Sequence, residues 1–265
     1  MFTLRENGNL KYYQVDEFSK TGLVKHCFTT RCTGVSEGNY FSLNLRFNCE
    51  DSRENVLANY KIICDEINVD YKNLVLSKQV HEDNVLVVTG KDLGNGITKE
   101  QKFVSCDAMI TKESGVPIAV FSADCVPVCF LDVKKSVIGL AHSGWKGTVA
   151  RISQKVVEKM KKEFGSDAKD IIVGIGPSIR ECHFEVGYEV ADIFKECFGD
   201  SVVSTNGKPH VDMQKAIKLQ LISEGILEEN IVDSNICTYC NNDLFFSHRV
   251  SGDKRGLQAA IMELI

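Results

Sequence analysis

The sequence predicts an α+β fold built as one domain over residues 1–265, and three observations carry that expectation. Strand-like and helix-like patterns follow one another irregularly rather than in a regular βαβ repeat. The apolar runs Val128–Asp132 and Val137–Ala141 are separated by only a few residues around Lys134-Lys135. A parallel crossover needs a dozen residues or more, so this pair is antiparallel and the fold is not a simple doubly wound parallel sheet. Finally, no internal repeat, low-complexity tract or Pro/Gly-rich linker marks a boundary, and only four prolines are present.

Taken in order, Ser52 to Val69 reads as a helix, with Val56, Tyr60, Ile63 and Ile67 at helical spacing and Ser52 as N-cap. Short β-like runs follow at Leu74–Leu76, Val85–Val88, Ala108–Thr111, Ile118–Phe121, Val128–Asp132 and Val137–Ala141. A strong amphipathic stripe comes next: Val149, Ile152, Val156, Met160 and Phe164, with four lysines off the stripe and Gly165 as the stop. Ile171–Ile175 reads as a strand, and helical patterns return at Tyr188–Cys197 and Val211–Glu224. The tail carries strand-like Ile231–Ile236 and Leu244–Ser247.

Composition narrows the function classes. Apolar content of 43% and charged content of 25% are ordinary for a globular chain. A formal charge of −5 argues against a nucleic-acid binder, which advertises a basic patch. No run of 18 apolar residues occurs, so no membrane span is expected. The N-terminal segment MFTLRENGNLKYYQVDEF is polar, without a signal-peptide core, so a cytoplasmic protein is expected. Eleven cysteines, an odd number, then read as reduced thiols, most of them packed as small hydrophobes.

Several short motifs almost fit. GLAHSGWK, Gly139 to Lys146, has the glycine spacing of a P-loop, but Trp145 stands where the lysine must reach the phosphates. The flanks of Ser143 are Ala141 and Trp145, not the glycines of a nucleophile elbow. A zinc deaminase signature needs HxE and PCxxC; His81-Glu82-Asp83 offers Asp, and Pro127 lies between Cys125 and Cys129. Cys237-Thr238-Tyr239-Cys240 is a true CxxC without a second pair in the sequence, open to two readings: ordinary thiols or half a metal site. What survives is a set of polar residues that end apolar runs: His81, Cys125 and His142. Two histidines and a cysteine suit Zn²⁺ with a fourth position open, and Asp124 is placed to orient a ligand or exchange protons. Each also has a plain reading as a hydrogen-bonded structural residue.

The blocks FTTRCTGVSEGNYFSLNL (28–45), KQVH (78–81), CDAMIT (106–111), SADCVPV (122–128), GLAHSGWKGT (139–148), GIGPSIRECHFEVG (174–187) and CTYCNNDLFFSHR (237–249) span most of the chain. Together they resemble the bacterial purine nucleoside phosphorylase/adenosine deaminase family, long labelled multicopper polyphenol oxidoreductases or laccase-like proteins. The resemblance implies two packed mixed or antiparallel β-layers flanked by helices, a four-layer α/β/β/α arrangement. It implies a zinc site on His81, Cys125 and His142, phosphorolysis of adenosine, inosine, guanosine and methylthioadenosine, and deamination of adenosine. The partners are then purine nucleosides and phosphate, in a monomer or weak homo-oligomer. Two departures from the pattern are Val250, where a second basic residue is usual after SHR, and Lys254-Arg255-Gly256, where a GR dipeptide is usual.

Carried onto this chain, the resemblance places the site on His81, Cys125 and His142, and Asp124, next to Cys125, completes the candidate catalytic set as proton carrier. Arg31 and Lys146 become candidate phosphate contacts, because guanidinium forks and ammonium groups bind anions, and Arg249 is a further substrate-binding candidate. Asn44 and Gln79 are candidates to hydrogen-bond sugar or base, although polar residues inside apolar blocks also satisfy backbone groups. Copper is an in-vitro competitor for a His₂Cys site, but six histidines are too few for a laccase. Two other classes stand beside this one: a metal-independent Cys–His hydrolase with a Cys125 thiolate nucleophile, and a nucleoside-binding protein without turnover.

Overall fold

A computed structural model describes residues 1–205 and 207–265. The chain opens on a hairpin of β1 (Phe2–Asn7) and β2 (Leu10–Val15), then runs through α1 (Asp16–Thr21) and β3 (Val24–Thr29) to α2 (Arg53–Glu66). β4 (Val75–Leu76), β5 (Val85–Val87), β6 (Ala108–Thr111), β7 (Ile118–Ser122), β8 (Val126–Asp132) and β9 (Val137–Ser143) follow. Next come α3 (Trp145–Val149), α4 (Ile152–Phe164), β10 (Ile171–Ile175) and α5 (Tyr188–Phe198). The short strands β11 (Val203–Ser204) and β12 (His210–Val211) lead to α6 (Met213–Ser223) and β13 (Ile231–Asp233). The chain ends on α7 (His248–Ser251) and β14 (Gln258–Leu264).

Twelve of these strands make two six-stranded sheets, ordered β1-β2-β3-β14-β7-β4 and β13-β10-β8-β9-β6-β5, and β11 pairs with β12 in a separate two-stranded ribbon. The β8–β9 hairpin is antiparallel as its short loop requires, with Pro127 opposite His142 and Cys129 opposite Leu140. Asp132 closes the hairpin by accepting the backbone N–H groups of Lys134 and Lys135 at 2.8 and 2.9 Å.

Side-chain alternation then decides the layers. Val126, Val128 and Phe130 of β8 join Ile152, Val156 and Met160 of α4 in one core. Cys129 and Leu131 point the other way, into a second core with Ile118 and Val120 of β7 and Ala260 and Met262 of β14. A third core sets Val56, Tyr60 and Ile63 of α2 against Ala119 and Ile261 on the far face of the first sheet. The order is therefore helix, sheet, sheet, helix, the α/β/β/α arrangement expected. Both faces of the inner strands are covered, which is why they read as continuous apolar runs. Each fully buried Phe or Leu in these layers contributes roughly 1.5–3 kcal/mol.

Several elements differ from expectation. The stripe from Val149 to Phe164 is not one helix. Arg151 takes the left-handed conformation at φ 63°, separating α3 from α4. Its guanidinium is held by the Cys197 carbonyl and lies over the Phe198 ring, 5.3 Å from the centroid. The stripe survives the break: Ile152, Val156 and Met160 are buried in the same core against which Val149 and Phe164 pack. Leu244–Ser247 is not a strand: Gln258 accepts from the Phe246 N–H and donates to its carbonyl, so a side chain replaces the strand partner. Predicted α2 is confirmed at Arg53–Glu66, with Ser52 Oγ accepting from Asn55 N at 3.0 Å. Among the described residues no helix is long and apolar enough to cross a membrane.

Candidate metal centre and clefts

β9 carries His142 one residue before its end, and β8 begins directly after Cys125. The β8–β9 register sets these two neighbours side by side at one rim of the sheet. His81 reaches the same point from the long connection between β4 and β5. It sits not at a strand end but in a bend, with a left-handed backbone at φ 63°. Ligand atoms of the three lie within 4.8 Å of one another, and the two imidazole rings are edge-to-face with centroids 4.9 Å apart.

Asp107, just before β6, organises this cluster. Its fully buried carboxylate accepts the backbone N–H groups of Val80, His81 and Glu82 at 3.0, 3.1 and 3.2 Å. These bonds hold the left-handed bend that delivers His81. The same carboxylate meets His142 Nδ1 at 2.9 Å, which leaves Nε2 to face Cys125. Burial opposes Asp107's charge, but the His142 hydrogen bond and the backbone donors win, so its pKa is held below the usual carboxylate range. Burial likewise pushes the Cys125 thiol up, yet the charge and hydrogen bond of His142 and the bond from His81 bring it down to about 6. Burial disfavours the charged His142, and the Cys125 thiolate and Asp107 outweigh it, raising its pKa to about 9. Gly144 completes the packing. A Cβ there would lie 3.1 Å from His81 Cδ2 and 3.2 Å from Cys125 Sγ.

This donor set fits a metal ion. A thiol poised to ionise, an imidazole oriented by a carboxylate and a second imidazole converge, with a fourth direction open. That direction opens on two clefts that share His81, Ala123, Cys125 and Arg255. The first, about 410 Å³, has aromatic walls from Phe47, Tyr60 and Phe121 and polar groups from Arg46, Lys78 and Gln79. The second, about 370 Å³, is walled by Trp145, Phe184 and Met213, with Asp124 and Arg249 on its rim.

The other residues singled out from the sequence divide. Gln79 lines the first cleft while its amide bonds the Phe121 N–H and carbonyl and Ser77 Oγ. Asp124 lines the second, accepting from Thr238 Oγ1, Ser247 Oγ and the Arg249 N–H at 2.6, 3.0 and 2.7 Å. Arg249 also lines it, with its guanidinium donating to the His183 and Glu185 carbonyls. Three candidates reach neither cleft wall. Asn44 is fully buried, and its amide is spent on Asp51 and on the backbone at Arg46 and Leu257. Arg31 donates to the Phe41 and Asn242 carbonyls and lies over the Phe246 ring. Lys146 is exposed and sits over Trp145. For Asn44 and Arg31 the reason is that backbone carbonyls and side chains of the surrounding loops take up their donors, whereas Lys146 projects from the exposed face of α3.

Asp107 was not legible as a site group, and Arg255 stood only as a carry-over in a segment that departs from the family pattern. Asp107 had only its place in the CDAMIT block. Arg255, in the departing KRG segment, lies between both clefts with its Nε buried and unpartnered among the described residues.

The fold is shared with a solved structure, the Bacillus licheniformis protein YfiH. The TM-score is 0.92, with 30% identity and 99% of each chain covered. Residues 25–265 match the family model described as multi-copper polyphenol oxidoreductase laccase, and the chain belongs to that family. Among its relatives, a purine nucleoside phosphorylase of Bacteroides thetaiotaomicron is 36% identical over 253 residues, covering 93% of either chain. A protein named adenosine deaminase RL5, from an unknown prokaryotic organism, is 33% identical over 247 residues, 91% of this chain and 94% of that one.

Proposed function

We propose that the protein is a zinc-dependent purine nucleoside enzyme, cleaving nucleosides with phosphate and deaminating adenosine. The observation that carries this reading is the His81–Cys125–His142 cluster at the junction of two clefts, each large enough for a nucleoside-sized ligand. The names of the relatives support the reaction type. Methylthioadenosine belongs to the same proposed set, because the first cleft offers both apolar wall (Leu45, Phe47, Phe121) that suits a thioether and polar groups that suit a hydroxyl.

His81, Cys125 and His142 would hold the ion, with Asp107 fixing the His142 tautomer. Zn²⁺ held there supplies Lewis-acid polarisation and activation of water at neutral pH. Phe47, Tyr60 and Phe121 give the purine a flat apolar wall. Arg255, which lines both clefts, offers its guanidinium charge to phosphate, and Arg249 adds charge at the second cleft's rim. In phosphorolysis a phosphate oxygen bonds C1′ as the bond from C1′ to the base breaks, and the departing purine takes up a proton. In deamination, water adds at C6 and ammonia leaves. Asp124, on the wall of the second cleft, is our candidate for proton exchange; the three donors on it also fix the backbone that presents Cys125. Only two of the six histidines reach this cluster, which supports a mononuclear hydrolytic or transfer site rather than a multicopper oxidase.

The test is incubation with adenosine, with and without phosphate, followed by separation of products. Adenine with ribose 1-phosphate reports phosphorolysis, and inosine reports deamination. No turnover of any purine nucleoside by zinc-loaded protein would end the proposal. Cys125→Ala is expected to abolish both reactions and to release the ion.

A second reading draws on the thiol's lowered pKa beside His142: a Cys–His hydrolase without metal. Such an enzyme survives a chelator and dies with a thiol alkylator, whereas the zinc enzyme is lost to both.

A further inference from the structure

Far from the triad in sequence, the structure supplies the partners that the Cys237–Cys240 pair lacked. Cys182, His183, Cys237 and Cys240 each place a ligand atom within 4.8 Å of the other three. We propose that these four residues form a second, structural Zn²⁺ site of Cys₃His type, separate from the His81–Cys125–His142 centre.

The spacing fits the ion. Zn–S bonds of about 2.3 Å at tetrahedral angles put two sulfurs about 3.8 Å apart. Cys182 Sγ and Cys240 Sγ are 3.9 Å apart, nearly twice the roughly 2.05 Å of a disulfide bond. With Zn–N of about 2.0–2.1 Å, a sulfur and a ligating nitrogen sit about 3.6 Å apart. His183 Nδ1 lies 3.2 Å from Cys182 Sγ and 3.3 Å from Cys240 Sγ, a few tenths short of that edge. The imidazole is also held in place. It stacks on Tyr239, with centroids 4.1 Å apart and planes 20° from parallel.

The backbone around the four is built as two facing turns. Asn241 donates both its backbone N–H and its side-chain amide to the Cys237 carbonyl, curling the Cys-x-x-Cys segment. Opposite, the N–H groups of His183 and Phe184 both bond the Arg180 carbonyl, presenting Cys182 and His183 from one tight turn. The four ligands are protein groups, so the coordination shell closes without an open position, as in structural zinc sites.

A metal there would brace the second cleft. Thr238, inside the Cys-x-x-Cys turn, donates to Asp124 beside Cys125. From the facing turn, Phe184 lines the cleft and the His183 carbonyl holds Arg249. Crosslinking the two turns therefore fixes the wall that positions Asp124 and Arg249, without the ion touching substrate.

Metal content separates this site from the first. Protein purified with zinc and passed over a weak chelating resin is expected to carry about two ions per chain. C125S/H142A and C182S/C240S are each expected to carry about one. A folded C125S/H142A protein without zinc overturns the second site. One ion per chain in wild type, kept in C125S/H142A and lost in C182S/C240S, supports the second site while sinking the triad reading. Cobalt gives a readout that does not depend on the C182S/C240S variant folding. C125S/H142A titrated with Co²⁺ should develop intense thiolate-to-metal absorption in the near ultraviolet and the visible bands of a tetrahedral ion. Their absence in a protein that keeps its circular dichroism refutes the proposal. So does a thiol count of nine in unreduced, denatured protein, two short of the chain's eleven, when peptide mapping places the disulfide between two of Cys182, Cys237 and Cys240.

Discussion

Asp107→Asn tests the central claim of site organisation, that one carboxylate sets both histidines. In the native arrangement Oδ2 accepts from the Val80 and Glu82 N–H groups, and Oδ1 accepts from the His81 N–H and meets His142 Nδ1. An amide has one acceptor end only. If its NH₂ takes the Oδ2 place, two backbone N–H donors lose a charged acceptor, at roughly 1.5–3 kcal/mol each. If it takes the Oδ1 place, it donates to His142 Nδ1, and the proton moves to Nε2. The lone pair that faces Cys125 is then gone. Either way the cluster loses a ligand orientation, and metal affinity should fall tenfold to a hundredfold, about 1.4–2.8 kcal/mol. The assay is competition for zinc against a chromophoric chelator of known affinity, alongside thermal unfolding of the metal-free protein. Zinc binding as tight as wild type, together with an unchanged melting temperature, would refute the argument.

Four further outcomes are expected. Gly144→Ala places a methyl group against His81 and Cys125 and should weaken zinc binding about tenfold while leaving the second cluster's ion in place; the metal-content assay reads both. In metal-free protein, Cys125 alkylation should follow a titration centred near pH 6 rather than the ordinary thiol range of about 8.5, with zinc protecting; a profile centred above 8 refutes the thiolate pair. The stability linked to that pair is lost as pH falls through about 6 and as it rises through the His142 value of about 9, so metal-free protein should melt highest between them. Arg255→Ala should raise the phosphate KM ten- to a hundredfold and spare adenosine deamination, which uses no phosphate; equal losses in both reactions would assign Arg255 to the base or to folding.

Local chemistry was legible in the sequence. Ser52 announces α2 because a hydroxyl at an N-cap meets a free N–H of the first turn, wherever the helix lies. The short loop around Lys134-Lys135 forces β8 and β9 antiparallel, since no crossover fits. Strand β14 is different. Its sequence QAAIMEL is rich in helix formers, yet it lies between β3 and β7, where two partners satisfy its backbone and both faces are buried. Its assignment depends on neighbours more than a hundred residues away, which no local period encodes.

The candidate site divides along the same line. The sequence by itself determined the chemical types: two histidines and a thiol that end apolar runs, and a Cys-x-x-Cys awaiting a partner. Only the tertiary structure decided who meets whom. It brought Asp107 under His81 and His142, set Arg255 between the clefts, turned Asn44 and Arg31 into struts, and placed Cys182 and His183 against Cys237 and Cys240. Turns, caps and strand alternation are fixed by residues a few positions apart. A ligand set is fixed by sheet register and by the return path of long loops, and these belong to the whole chain.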